Sequence, residues 1–245
     1  MGAFTGAKEY SRDGFEALKV DSPSGLGYWV TDVYRQVLRD TFFENDPTLP
    51  CCVKGNIAVF KSFMSLSTEI TETLLSCLSD GLDLKSANRF EHNHRTSMPS
   101  RTSLILMSYP QNTGNANVGH NKHTDIGSLT LLFIKQLGLE VQMPGTDVWR
   151  SVAPRDGHAV VNVGDCLRYL SRKRFKSCLH RVIPPSSLND TRYSIGFFLR
   201  PADEVPIVAP DGKQVSAKDW VGLKYTVHES KYETQERQIL VGGME

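Results

Sequence analysis

Charge of one sign is missing from this 245-residue sequence: 28 Lys and Arg stand against 27 Asp and Glu, for a net charge of +1. A chain this close to neutral has no basic surface for nucleic acid or an acidic membrane, so neither is expected as a partner. No apolar run approaches the ~20 residues of a bilayer-spanning helix. The opening MGAFTGAKEYSRDG lacks the apolar stretch of a secretory signal. Gly6 stands where a myristoylation signal requires Ser or Thr. Cysteine is scarce as well. Cys51, Cys52, Cys77, Cys166 and Cys178 are odd in number and make no CxxC pair, which argues for reduced thiols in a cytoplasmic protein over a disulfide framework. The Asn189-Asp190-Thr191 sequon is accordingly expected to stay unmodified. Internal repeats and low-complexity tracts are absent too, which excludes solenoids and long linkers.

What is present is ordinary globular composition, 40% hydrophobic and 22% charged, in a chain long enough to bury a substantial core. The front reads as helical. Trp29, Val30, Val33, Tyr34, Val37 and Leu38 recur at helical spacing, as do Ile57, Phe60, Met64, Ile70, Leu74 and Leu78, the latter stopping near Gly81. Both stripes are expected to pack as core. From residue 101 the runs SLILMSY, SLTLLFI, LEVQM, AVVNV, SCLHRVI and RYSIGFFL are separated by Gly, Pro, Asn and Asp. That spacing predicts an antiparallel barrel or a double-sheet jelly roll. Ser216-Ala217-Lys218-Asp219 resembles a capping box and predicts one more helix carrying Trp220 and Leu223.

Chemistry concentrates in the β-rich part. In KHTDIGSLTLLF, His123 and Asp125 are two apart, a spacing that places both on one face of an extended chain. Alone, His-x-Asp reads more readily as a pair of polar turn residues than as a pair of ligands. His180, inside SCLHRVI, lies 55 residues further on in another predicted strand. Two imidazoles and one carboxylate on one face leave half of an octahedral site open, the facial triad of non-haem Fe(II) oxygenases. In the strand TRYSIGFFL, Arg192, Ser194, Gly196 and Phe198 share a face by period two. A buried Arg is costly unless it meets an anion, and a guanidinium with a hydroxyl two residues on makes a good carboxylate clamp. His92, His94 and His228 sit in polar segments and read as surface residues.

The ordered set of these segments resembles the 2-oxoglutarate- and Fe(II)-dependent dioxygenase superfamily. The branch it resembles includes isopenicillin N synthase, plant flavonoid and gibberellin oxidases and many fungal biosynthetic oxygenases. MSYP, KHTDIGSLTLL, VVNVGDCLRYLS, FKSCLHRVIPP and RYSIGFFLRP match the family's motifs in order, over about residues 101–201. The resemblance implies a mainly β fold with helices at the N-terminal side and a double-stranded β-helix (jelly-roll) core. Within one structural domain, residues 1–100 would form a helical N-terminal segment packing on the core. Residues 101–201 would form the Fe(II)/2-oxoglutarate core, and residues 202–245 a C-terminal strand and helix extension. His123, Asp125 and His180 would be the iron ligands. Arg192, Ser194 and Tyr109 would hold 2-oxoglutarate. Asn162, Gly164 and Asp165 would form a tight structural turn, and Lys176 and Ser177 would be structural. Many relatives carry Asn two residues before the Tyr, where this chain has Met107. Relatives also begin with further strands and a helix ahead of SRDGFEALKV, so a truncated N-terminus is expected.

The implied reaction uses Fe(II), 2-oxoglutarate and O2 to oxidise a small organic molecule by hydroxylation, desaturation or ring closure, in specialised metabolism. Strand parity puts Met107, Leu129 and Phe198 on inward positions near the metal, where each reads equally as substrate pocket wall or as barrel core. The stretch QNTGNANVGHN is either a lid or a surface loop. Two alternatives stay open at this level: an Fe(II) oxidase on the same scaffold that does not use 2-oxoglutarate, and a non-catalytic jelly-roll binding protein. A zinc hydrolase is a weaker third. Neither the oligomeric state nor the substrate is legible.

Overall fold

The computed structural model describes residues 5–6, 16–21, 51–109, 120–183, 190–209 and 212–228. The predicted helix around Trp29–Leu38 and most of the stretch QNTGNANVGHN lie outside the described residues. In chain order the strands begin with β1 (Thr5–Gly6), β2 (Glu16–Asp21), β3 (Ser103–Tyr109), β4 (His120–His123), β5 (Leu129–Ile134) and β6 (Leu139–Gln142). They continue with β7 (Trp149–Ser151), β8 (Val160–Val163), β9 (His180–Val182), β10 (Arg192–Leu199), β11 (Pro206–Val208) and β12 (Gln214–Ser216). The helices are α1 (Cys51–Lys54), α2 (Ile57–Gly81), α3 (Asp165–Leu170) and α4 (Ala217–His228).

Two antiparallel sheets make the jelly roll. The larger has the order β1-β2-β3-β10-β5-β8 and the smaller β4-β9-β6-β7. β1 and β2, from the stretch expected to be helical, extend the larger sheet at its edge through β2–β3 pairing. β10 is central, flanked by β3 and β5. Because side chains alternate, its eight residues divide the interior cleanly. Phe197 and Leu199 face one way and join Leu104, Leu129 and Leu131 with Met64 and Leu75 of α2 in one core cluster. Arg192, Ser194, Gly196 and Phe198 face the other way. Their cross-strand partners are Tyr109, Met107, Ile105 and Ser103 on β3, with Ile134, Leu132 and Thr130 on β5. This inner face meets the smaller sheet through Met107, Tyr109, Ile134, Leu139 and Val182.

α2 ends at Gly81 as the pattern predicts, but its buried line is Met64, Ser67, Thr71, Leu75 and Ser79. Ile70 lies off that line and is largely exposed. Two of the hydroxyls on that line are satisfied inside: Thr71 Oγ1 donates to the Ser67 carbonyl at 2.8 Å, and Ser79 Oγ donates to Glu91 Oε2 and accepts from the Phe90 N–H, both at 2.9 Å. α4 starts as predicted. Ser216 Oγ accepts from the Asp219 N–H at 3.1 Å and donates to Asp219 Oδ2 at 2.8 Å, a capping box with Asp in the reciprocal position. A third cluster, including Ile126, Cys166, Ile207, Trp220 and Val221, seats α4 and α3 against the turn that follows β4.

Candidate metal centre

His123 closes β4 and His180 opens β9, and the antiparallel register makes them direct partners. Asp125 sits in the turn just beyond β4. One ligand atom from each of the three lies within 4.8 Å of the others. His123 and Asp125 are buried. Asp125 Oδ1 is 3.9 Å from His123 Nε2 and 3.8 Å from His180 Nε2, beyond hydrogen-bond length.

Each remaining polar atom of the three side chains is engaged. His123 Nδ1 donates to the Asn121 carbonyl at 2.6 Å, and His180 Nδ1 to the Cys178 carbonyl at 3.0 Å. A carbonyl only accepts, so each Nδ1 carries a proton, which makes Nε2 the nitrogen of each ring that can turn a lone pair to a metal. Asp125 Oδ2 accepts from Thr130 Oγ1 and from Asn162 Nδ2, both at 2.6 Å. Burial by itself would raise the Asp125 carboxyl. His180, the Asn162 and Thr130 hydrogen bonds and the nearby His120 outweigh it and hold the group below its usual value. Three electron-pair donors therefore converge on one point. Two imidazoles with one carboxylate arranged in this way suit Fe(II).

The turn carrying Asp125 is held from behind. The Asp165 N–H donates to the Asp125 carbonyl at 2.8 Å, and Cys166 N–H to the Gly127 carbonyl at 2.9 Å. The approach is so close that a side chain at Gly164 would overlap the Gly127 carbonyl.

The second polar group on the inner face is Arg192, which is fully buried. Its Nε donates to the Leu137 carbonyl at 3.0 Å, and its guanidinium carbon stands 4.8 Å from the Tyr109 ring centre. Among the described residues neither Nη1 nor Nη2 has a hydrogen-bond partner. Burial pulls its pKa below the usual value, with Tyr109 opposing. Two buried NH2 groups side by side have the geometry that a carboxylate can bridge. Ser194, also buried, follows two residues on along the same face. Tyr109 directs its hydroxyl to Met107 Sδ at 3.5 Å, so the methionine occupies the reach that the family's Asn would take.

Met107 and Phe198 lie on the inner face as expected, the Phe198 ring leaning over Gly196. Leu129 does not. It pairs with Leu199 and Val163 and packs in the α2-facing cluster. The turn at residues 126–128 resets the parity, so Thr130 rather than Leu129 points toward Asp125. His94, read as a surface residue, is buried. Its Nδ1 donates to the Phe90 carbonyl and its Nε2 accepts from Ser128 Oγ, both at 2.7 Å. Burial lowers its pKa to about 4. Thr130 and Asn162 are the site residues that the motif reading assigned no role beyond strand and turn. His120 belongs to β4 and stacks on His123 with ring centres 4.1 Å apart.

Comparison with known proteins agrees with this geometry. The 2OG-Fe(II) oxygenase superfamily model matches residues 100–201. The 2-oxoglutarate-dependent dioxygenase iboH of Amanita muscaria is 48% identical over 202 residues, covering 80% of this chain and 98% of that protein. The 2-oxoglutarate-dependent dioxygenase frbH of Dothideomycetidae sp. is 39% identical over 244 residues, covering 98% and 71%. Among solved structures, JOX2 in complex with 2OG, Fe and JA superposes with a TM-score of 0.68 at 21% identity, over 94% of this chain and 64% of that one. The dioxygenase for auxin oxidation in rice gives 0.62 at 22%, over 91% and 72%. At such identities the structures speak for the fold alone. No helix among the described residues is long and apolar enough to cross a membrane.

Proposed function

The chain belongs to the 2-oxoglutarate- and Fe(II)-dependent oxygenase superfamily, and from that membership we propose that His123, Asp125 and His180 hold its iron. The protein is a non-haem dioxygenase, an oxidoreductase with Fe(II) as metal and 2-oxoglutarate and O2 as co-substrates. The observation that carries the ligand assignment is the convergence of two Nε2 lone pairs and Asp125 Oδ1, with every other polar atom of those side chains already bonded.

When bound, the metal supplies O2 activation coupled to decarboxylation of 2-oxoglutarate and oxidation of a substrate C–H bond. The chain's own residues do the rest. His123 and His180 present one lone pair each, fixed in tautomer by the Asn121 and Cys178 carbonyls. Thr130 and Asn162 hold Asp125 with Oδ1 forward. Arg192 offers its two free N–H groups to the distal carboxylate of 2-oxoglutarate, Ser194 adds a hydroxyl, and Tyr109 lines the same end. Met107 and Phe198 form an apolar wall that keeps water from the reacting centre and seats a small organic substrate. Specialised metabolism and a cytoplasmic location fit this reading and the reduced-thiol composition.

The test is anaerobic. Fe(II) followed by 2-oxoglutarate should give the visible charge-transfer absorption of the chelate in the wild type, none in His180→Ala, and only at raised 2-oxoglutarate in Arg192→Met. A His180→Ala protein with the full band would refute the ligand set.

A further inference from the structure

Lys224, on α4, is fully buried and one hundred residues from the metal-binding turn it touches. Its Nζ lies 2.6 Å from Asp165 Oδ2 and donates to Thr124 Oγ1 at 3.2 Å. Thr124 Oγ1 in turn donates to the same Oδ2 at 3.0 Å. Thr124 stands between His123 and Asp125, and the Asp165 N–H holds the Asp125 carbonyl. One turn earlier on the same helix face, Trp220 donates its indole N–H to the Ile126 carbonyl at 3.3 Å. α4 therefore grips the chain on both sides of Asp125, through Thr124 and through Ile126.

A buried ammonium–carboxylate pair is an inefficient source of stability, because its desolvation cost offsets its attraction and a well-packed apolar pair would serve as well. What an apolar pair cannot do is fix Thr124 by a donor and an acceptor at once. With Lys224 absent, Asp165 would be left as a buried carboxylate without its counter-charge. Its carboxylate would turn away from the empty place, and Thr124 would lose its fixed position between two ligands. Partners one layer behind a metal are what aim the ligands.

We infer that Lys224 is a positioning residue for the metal centre: through Asp165 and Thr124 it locks the backbone of the His123–Asp125 turn to the C-terminal helix. The inference rests on the ligand assignment proposed above.

Mn(II) binding, followed by loss of the free ion's EPR signal, tests it without turnover. The wild type should bind and His180→Ala should not. Lys224→Met keeps the aliphatic stem beside Trp220 and removes the charge. Thr124→Val leaves the Lys224–Asp165 pair intact and removes only the link to the turn. Both should weaken Mn(II) binding, Lys224→Met by roughly 10–100-fold and Thr124→Val by about tenfold, in protein that circular dichroism shows to be folded. If Lys224→Met does not fold, Thr124→Val decides. Folded Thr124→Val, or folded Lys224→Met, with wild-type affinity overturns the positioning role and leaves the ligand set standing. Wild-type binding that survives His180→Ala overturns the ligand set and the positioning role together.

Discussion

At the triad end of the inner face, the atoms that point away from the common focus are bonded: two Nδ1–H groups to carbonyls, and Asp125 Oδ2 to Thr130 and Asn162. At the Arg192 end the reverse holds, with Nε bonded to Leu137 and both Nη groups lacking partners among the described residues. The two ends are about equally buried, yet one is rigid through its hydrogen bonds and the other is held by packing and left unsatisfied. The difference follows from what each must receive. Lone pairs for a cation have to be pre-aimed, and their supporting bonds cost nothing when the cation arrives. Donors for a carboxylate have to stay uncommitted to other groups of the chain, so that two parallel N–H bonds can go to the anion.

The largest break in this comparison comes from removing a ligand. Asp125→Ala should lower metal affinity by more than the roughly 100-fold at the upper end for outer partners, and should reduce turnover to background. A metal titration with the apo protein checked by circular dichroism reads it. Next is Arg192→Met. Losing the charge-assisted clamp should raise the KM for 2-oxoglutarate by about 30–150-fold, corresponding to ~2–3 kcal/mol, with metal affinity unchanged. Methionine fills the buried site without a charge to desolvate, so circular dichroism should show a folded protein. Thermal melting with added 2-oxoglutarate should stabilise wild type but not the variant. A variant that gains as much stability from 2-oxoglutarate as wild type would show that Arg192 does not hold it.

Asn162→Ala probes the rigid end more gently. It frees Asp125 Oδ2 from one of two donors, so metal affinity should fall by about tenfold while the KM for 2-oxoglutarate, measured at saturating metal, stays put. Equal losses in both quantities would mean that the two ends are coupled and not separately prepared.

The grouping of His123 with Asp125 and of Arg192 with Ser194 is legible in the sequence because period-two parity and family motifs are local. His123 and Asp125 are two apart, and Arg192 and Ser194 likewise, so one strand fixes each pair. Parity failed where the backbone turns. Counting across residues 126–128 put Leu129 on the pocket wall, whereas the turn leaves Thr130 facing Asp125 and Leu129 against α2. Contacts made across sequence distance were invisible. His94 reads as surface in EHNHRTS because nothing local shows that Ser128 will meet it, and nothing local joins Lys224 to Thr124 one hundred residues away. Asn162 was legible as a motif residue but not in its role, since only the register with Thr130 carries it toward Asp125.

The mildest probe leaves the ligands alone and titrates the support. His94 connects the segment after α2 to the turn behind Asp125 through Ser128. Its folded pKa is about 4 against an ordinary 6.5, because burial disfavours the charged ring. A group whose folded value is depressed binds more protons when unfolded between those two values. Its contribution is therefore fully present above about pH 6.5, falls away as the pH drops toward 4, and changes no further below that. The gap amounts to roughly 3 kcal/mol, good to about a pKa unit. Urea unfolding at steps from pH 7 to pH 4 should lose that much more stability in wild type than in His94→Gln, which keeps a donor and an acceptor but no titrating ring. Parallel pH profiles for the two proteins would remove His94 from the acid sensitivity. If the profiles diverge as expected, the rigid end of the site is the one that acid loosens first, since Arg192 keeps its charge throughout that range.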